Sequence, residues 1–178
     1  MKTCWEYHLR VSEFQEWLLE FKAHPEPKAR IIGEIDAILW NLEKEKYLPE
    51  IAKAGFKIPE TLVLDPENLV EKLTDSLVGG NAEISTPWGR YGAVVVKPAI
   101  SAGSYNTINF KRGEILTGDQ KNVILQLQKD GGSVLVQEFM REIGEGEWSL
   151  IYVVGQYTHS ILKIPAAAEK DSTLNSTS

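Results

Sequence analysis

Apolar residues recur at two different spacings along this chain, and the two spacings predict helices and strands in different places. Apolar positions three and four residues apart predict a helix over residues 13–23, capped by Ser12. The same spacing predicts a helical region over residues 35–54 that ends at Gly55. A further helix is expected to begin at Pro66, because proline suits the first position of a helix.

Runs of β-branched and alternating residues predict strands, most of them in the second half of the chain. Strands are expected at residues 56–64, 91–98, 107–110, 133–140, 148–154 and 157–164. Gly155 separates the last two, which favours a hairpin, and an amphipathic helix is expected over residues 121–129. Helices and strands mix without the regular alternation of a doubly wound parallel sheet. The predicted fold class is therefore α+β (mixed α/β).

Composition and charge restrict the class of partner. The 178 residues are 43% hydrophobic, enough to bury the core of one domain or two small ones. A net charge of -6 argues against nucleic acid or an anionic membrane as the main partner, so any anion site must be built locally. The single cysteine, Cys4, cannot form an internal disulfide, and neither a signal peptide nor a membrane-spanning run is evident. We therefore expect a cytoplasmic protein.

The strand predicted at residues 91–98 ends in a lysine, and a loop of small and hydroxylated residues follows. Glycine, alanine and hydroxyl side chains let backbone N–H groups approach phosphate oxygens closely, and Lys97 adds a positive charge beside them. The pattern is thus suited to binding an anion. A buried strand that ends in a solvated turn, with an ordinary surface lysine, explains the same residues, and both interpretations stay open here.

A second informative segment covers residues 134–150. A strand that runs into an irregular connector offers backbone groups to an adenine edge, while Phe139 and Met140 contact its faces. The acidic residues Glu142 and Glu147 could accept hydrogen bonds from ribose hydroxyls. Taken alone, these residues favour a solvated acidic loop, which is what runs of charge usually form.

Together and in this order, the two segments resemble the ATP-grasp superfamily of carboxylate–amine and carboxylate–thiol ligases, in its glutathione-synthetase-like branch. The resemblance extends over residues 5–165. Upstream it rests on Trp40-Asn41-x-x-Lys44, Tyr47-Leu48, Ala54-Gly55 and Pro59-x-Thr61, and downstream on residues 144–150 and on His159-Ser160-x-Leu162-Lys163.

The resemblance implies a domain organisation. The expected parts are a partial pre-ATP-grasp region at 1–40, a nucleotide-binding lid with an antiparallel sheet at 41–138, the start of the C-terminal ATP-grasp subdomain at 139–165, and a disordered tail at 166–178. The expectation for the tail comes from its small, polar composition.

The resemblance also implies ATP as cofactor and gives roles to individual residues. Lys97 would hold the α- or β-phosphate, and the loop would close over the β- and γ-phosphates. Backbone groups at the hinge would pair with adenine, Glu147 in preference to Glu142 would hold the ribose, and Lys163 would lie towards phosphate or substrate. The complete set of cofactor-binding residues is Lys97, Ser101, Ala102, Gly103, Ser104, Thr107, Gln137, Glu138, Phe139, Met140, Glu142, Glu147 and Lys163.

The family also uses Mg²⁺, but its metal ligands lie in Asp-Phe-Arg-like and Glu-x-Asn motifs that are absent from this sequence. We therefore expect the ATP-binding portion of a ligase that activates a carboxylate as an acyl phosphate for attack by an amine. The chain looks truncated at both ends and is expected to be inactive alone, unless a second copy or a complementary chain supplies the rest. The alternative is a non-catalytic nucleotide-binding or structural remnant. No catalytic residue and no substrate is indicated.

Overall fold

The structure, a computed structural model, describes residues 6–26, 29–67, 69–78 and 92–164. None of the helices among these residues has the length and apolar character needed to span a membrane. The tail predicted at 166–178 lies outside the described residues.

The chain forms two compact units, Met1–Glu138 and Phe139–Ser178. The described helices of the first unit are a 3₁₀ turn at Tyr7–Leu9, α1 at Val11–Ala23, α2 at Ile35–Leu42, α3 at Lys44–Lys53, α4 at Leu69–Val78 and α5 at Gly118–Asp130.

The structure differs from the predicted helices at the start of α1, at the start of α4 and within the region predicted at 35–54. The helix α1 begins before Ser12, because the Phe14 N–H already donates to the Arg10 carbonyl at 3.0 Å. The helix α4 begins after Pro66, because the Asp65 carboxylate accepts the Glu67 N–H at 2.9 Å and so forms a turn first.

The third difference lies within the helical region predicted at 35–54, which is two helices. Glu43 is extended between α2 and α3. The next N–H, that of Lys44, donates to the Ala99 carbonyl at 3.3 Å instead of continuing α2. A contact distant in sequence therefore ends one helix and starts the next.

The first unit contains a four-stranded sheet in the order β1-β4-β2-β3, and every neighbouring pair is antiparallel. The mixed α+β class with an antiparallel sheet is thereby confirmed. Only the end of the segment predicted at 56–64 pairs as a strand, since Pro59 has no N–H to donate to a neighbour. The strands are β1 at Thr61–Leu64, β2 at Ala93–Pro98, β3 at Ile108–Lys111 and β4 at Val134–Glu138.

One face of this sheet packs against α4 and α5 and forms the core. The helix α5 is fixed at its start by a capping box, in which Thr117 and Gln120 exchange hydrogen bonds between side chain and backbone. The buried core residues are Leu69, Leu73, Val94, Val96, Phe110, Leu116, Ile124, Leu127, Val134 and Val136.

The opposite face of the sheet carries polar residues. Gln137 of β4 pairs with Thr61 of β1 on one side and with Val95 of β2 on the other. Lys97 lies two residues beyond Val95 and therefore on the same face, since side chains alternate along a strand. Lysine, glutamine and threonine thus share one face of three neighbouring strands.

The second unit contains a 3₁₀ turn at Arg141–Glu145 and a hairpin of β5 at Glu147–Val153 and β6 at Gln156–Lys163. The predicted hairpin is confirmed. Its two-residue turn, Val154 and Gly155, has φ values of 51° and 74°, the pattern of a type I′ turn.

Candidate nucleotide-phosphate site

The loop after Lys97 contains tight turns in which the backbone adopts positive φ values. Gly103, Ser104 and Asn106 have φ values of 58°, 59° and 47°, in the left-handed region, which glycine and asparagine tolerate but which is unfavourable for Ser104. Two turn hydrogen bonds of 3.1 Å hold this path, from the Tyr105 N–H to the Ala102 carbonyl and from the Thr107 N–H to the Ser104 carbonyl. Strained loops of this kind persist where the surroundings enforce them, commonly at binding sites.

Lys44, at the start of α3, fastens the beginning of that loop. Its Nζ donates to the Ala99 carbonyl at 3.1 Å and to the carbonyl and Oγ of Ser101, each at 3.2 Å. The Tyr7 hydroxyl donates to the same Ser101 carbonyl at 3.4 Å. None of the ion pairs within the described ranges involves Lys44, so its charge is balanced by loop dipoles and not by a carboxylate.

The two lysines are close enough to influence each other electrostatically. Burial, and then the positive charge of Lys97, lower the pKa of Lys44 from 10.5 to about 8. Although the sequence comparison used Lys44 as part of the Trp40-Asn41-x-x-Lys44 run, it did not include this lysine among the site residues. The signal was present, but only the structure brings Lys44 to the loop.

Lys97 is held by a side chain from the neighbouring strand. Its Nζ donates to the Gln137 Oε1 at 2.8 Å, and the Gln137 Nε2 donates to the Thr61 Oγ1 at 2.8 Å. Gln137 is only 8% exposed. The first unit therefore brings together Lys97, Ser101 and Gln137 from the predicted set and adds Lys44 and Thr61.

Solved structures match this arrangement of elements. D-cycloserine synthetase DcsG superposes with a TM-score of 0.69 at 21% sequence identity, over 92% of this chain and 50% of that one. The chain therefore shares its fold with about half of that structure. D-alanine-D-alanine ligase from Helicobacter pylori superposes with a TM-score of 0.48 at 13% identity, over 79% of this chain and 42% of that one.

The VanG D-Ala:D-Ser ligase from Enterococcus faecalis superposes with a TM-score of 0.38 at 16% identity, over 75% of this chain and 42% of that one. This chain thus spans about half the length of the solved structures that it matches. No protein-family model matches the sequence, and no curated protein matches it. At 21% identity the likeness to D-cycloserine synthetase DcsG concerns the fold alone.

The residues predicted to form a hinge, at 137–140, fall along the chain where the first unit ends and the second begins. The Glu138 N–H donates to the Glu60 carbonyl at 2.8 Å and so takes part in the sheet. In the second unit, the Met140 carbonyl accepts the Ile143 N–H at 3.3 Å. Phe139 precedes this turn, and the roles given to these hinge residues remain predictions.

Two more predicted residues face each other across the hairpin of the second unit. Glu147 of β5 pairs with Lys163 of β6, and both are exposed. Glu142 lies in the 3₁₀ turn and is also exposed. Their assignment to ribose and phosphate remains a prediction.

The described parts of the chain contain no group of three or more His, Cys, Asp or Glu residues that could hold a metal ion. The residues present there do not fit the Mg²⁺ of the ATP-grasp family, and no step proposed below passes through a metal. A cavity of about 460 Å³ is lined by residues such as Ser12, Ile100 and Gly131, and by none of the predicted site residues. The wall of this cavity does include Ala99, Ile100 and Tyr105, so the cavity adjoins the loop of the candidate phosphate site.

Proposed function

We propose that the chain binds the phosphates of ATP with Lys44, Lys97 and the loop at 99–107, as the nucleotide-binding part of an ATP-grasp ligase. The observation that carries this proposal is the lysine pair at the start of the loop. Burial, and then the positive charge of Lys97, lower the pKa of Lys44, so the charged pair is unfavourable in the free protein. A polyphosphate bound beside the pair offsets that repulsion and accepts a charge-assisted hydrogen bond from Lys97.

The chemistry proposed for this site is transfer of the γ-phosphoryl group of ATP to a carboxylate, which releases ADP. An amine then attacks the acyl phosphate, forms an amide bond and expels inorganic phosphate. Lysine ammonium groups and loop N–H groups would stabilise the negative charge that develops on the transferring oxygens. The likeness of the fold to D-cycloserine synthetase supports the ligase class. It leaves the carboxylate and the amine undefined.

For the adenosine moiety we keep the hinge assignment as a proposal. The Glu138 N–H is used in the sheet, so its carbonyl is the group proposed to accept the adenine amino group. The Met140 N–H would donate to the ring, and Glu147 would accept from the ribose hydroxyls.

Calorimetric titration with a non-hydrolysable ATP analogue and Mg²⁺ tests the phosphate site. Lys97→Ala and Lys44→Ala should each weaken binding roughly 10- to 100-fold, since a hydrogen bond to a charged group contributes about 1.5–3 kcal/mol. Lys53→Ala is the matched control, because Lys53 is an exposed lysine in the last turn of the same helix as Lys44. It should leave the affinity within about twofold of the original protein.

Equal binding by Lys97→Ala and Lys53→Ala would show the proposal to be wrong. Absence of binding by the original protein, with a cooperative thermal transition to prove that it is folded, would instead favour the structural remnant. Release of ADP in the presence of ATP tests the separate prediction that the chain does not turn over alone.

A further inference from the structure

We propose that Thr61 and Gln137 form a hydrogen-bonded relay that positions the ammonium group of Lys97, with Thr61 setting the orientation of the Gln137 amide. The proposal rests on the proposed function, because it takes Lys97 as the residue that meets the nucleotide phosphate. Thr61 and Gln137 are positioning residues in this scheme, since they act through Lys97.

The relay has a single consistent direction, and Pro59 decides it. The Thr61 hydroxyl donates its proton to the Pro59 carbonyl at 2.8 Å, which leaves the oxygen Oγ1 as an acceptor. That oxygen accepts the Gln137 Nε2 at 2.8 Å. The amide is therefore oriented with its carbonyl oxygen towards Lys97, whose Nζ donates to it at 2.8 Å.

The opposite amide orientation would place two donors against each other. The NH₂ group would then meet the Lys97 ammonium, and the amide oxygen would need the proton that Thr61 gives to Pro59. Because Gln137 is only 8% exposed, water cannot readily replace the hydrogen bonds to Lys97 and Thr61 that this orientation would lose. Thr61 thus excludes an amide orientation that would repel Lys97.

The arrangement of Thr61, Gln137 and Lys97 is better suited to positioning the Lys97 ammonium group than to filling space in the core. The three side chains come from the neighbouring strands β1, β4 and β2, and lie on one face of the sheet. A lysine side chain is long and loses much rotational freedom when it binds a ligand. A fixed acceptor that restrains Lys97 beforehand lowers that entropic cost and so favours phosphate binding.

Thr61→Val tests the relay, because valine keeps the β-branched shape for pairing with β4 and removes only the oxygen. In calorimetry with the same ATP analogue, Thr61→Val should weaken binding roughly three- to tenfold, and Thr61→Ser should restore it. Thr158→Val is the matched control. The Thr158 hydroxyl also donates to a carbonyl, that of Ile151 at 3.1 Å, but it lies in the second unit's hairpin.

The decisive measurement is a double-mutant cycle with Lys97→Ala. If Thr61 acts through Lys97, Thr61→Val should have no further effect once Lys97 is alanine. The same loss in both backgrounds, or failure of serine to restore binding, would overturn the relay.

The outcomes separate this inference from the proposed function. Weak binding by Lys97→Ala with normal binding by Thr61→Val would refute the relay and leave the phosphate site intact. Normal binding by Lys97→Ala would refute the phosphate site itself.

The relay is then decided by ¹⁵N NMR of the lysine ammonium groups, with the Lys97 signal assigned by its loss in Lys97→Ala. We expect slow proton exchange of the Lys97 ammonium group in the original protein and in Thr61→Ser, and fast exchange in Thr61→Val. Equal exchange in all three proteins would refute the relay.

Discussion

Binding of ATP should take up protons near pH 8 because of Lys44. In the free protein the pKa of Lys44 is lowered to about 8 by burial and by Lys97, so about half of these side chains are uncharged at that pH. A bound polyphosphate favours the charged form and raises the pKa again. Binding at pH 8 should therefore take up about half a proton per site, rising to about 0.9 at pH 9 and falling to about 0.1 at pH 7.

The apparent affinity should change with pH in the same window. Below pH 8 Lys44 is charged in both states and the affinity should be nearly constant. Above pH 8 it should fall by up to about tenfold per pH unit, until the pKa of the complex is reached. Burial, and then Tyr7, raise the pKa of the nearby Tyr47 above its usual value of 10.0, so Tyr47 stays protonated throughout this range.

Without nucleotide, the free energy of unfolding should change with pH in the opposite direction to the affinity for ATP. The folded protein disfavours the charged form of Lys44, so the unfolded chain binds more protons between pH 8 and 10.5. The contribution of Lys44 to the free energy of unfolding is therefore least favourable below pH 8, and it improves as the pH rises through this window.

Calorimetry in two buffers of different ionisation enthalpy, at pH 7, 8 and 9, measures the protons taken up. Lys44→Arg is the control, because a guanidinium remains charged over the whole range and should abolish the uptake. No uptake at pH 8 in the original protein, or the same uptake in Lys44→Arg, would refute the reasoning.

Two further predictions concern local stability. Val154→Asn should stabilise the hairpin by about 1 kcal/mol, because Val154 is 96% exposed and has a φ of 51° that asparagine tolerates better. Hydrogen exchange of the β5 and β6 amides measures it, and unchanged protection would contradict the assignment of strain to this turn. Thr117→Ala should lower the free energy of unfolding by about 1 kcal/mol, because the α5 capping box is lost. Thr117→Ser should keep most of the original stability, and urea denaturation measures both variants.

Most of the helices and strands could be predicted from the sequence because their signals are local. A run of β-branched residues indicated the strand that carries Lys97, and Gly155 indicated the hairpin turn. A lysine at a strand end before a small-residue loop suggested an anion site, and that assignment remains a prediction. Each of these signals lies within a few residues of the feature that it predicts.

The rest depended on contacts between residues far apart in the sequence. The break at Glu43 depends on the Ala99 carbonyl, and the place of Lys44 depends on the loop around Ser101. The role of Gln137 depends on the strand order, which sets β4 between Thr61 and Lys97. The sequence by itself determined which residues could form strands, helices and an anion-binding loop. Only the tertiary structure decided which side chains share that loop and how their charges are held, because hydrogen bonds between distant segments form only when the sheet and helices pack together.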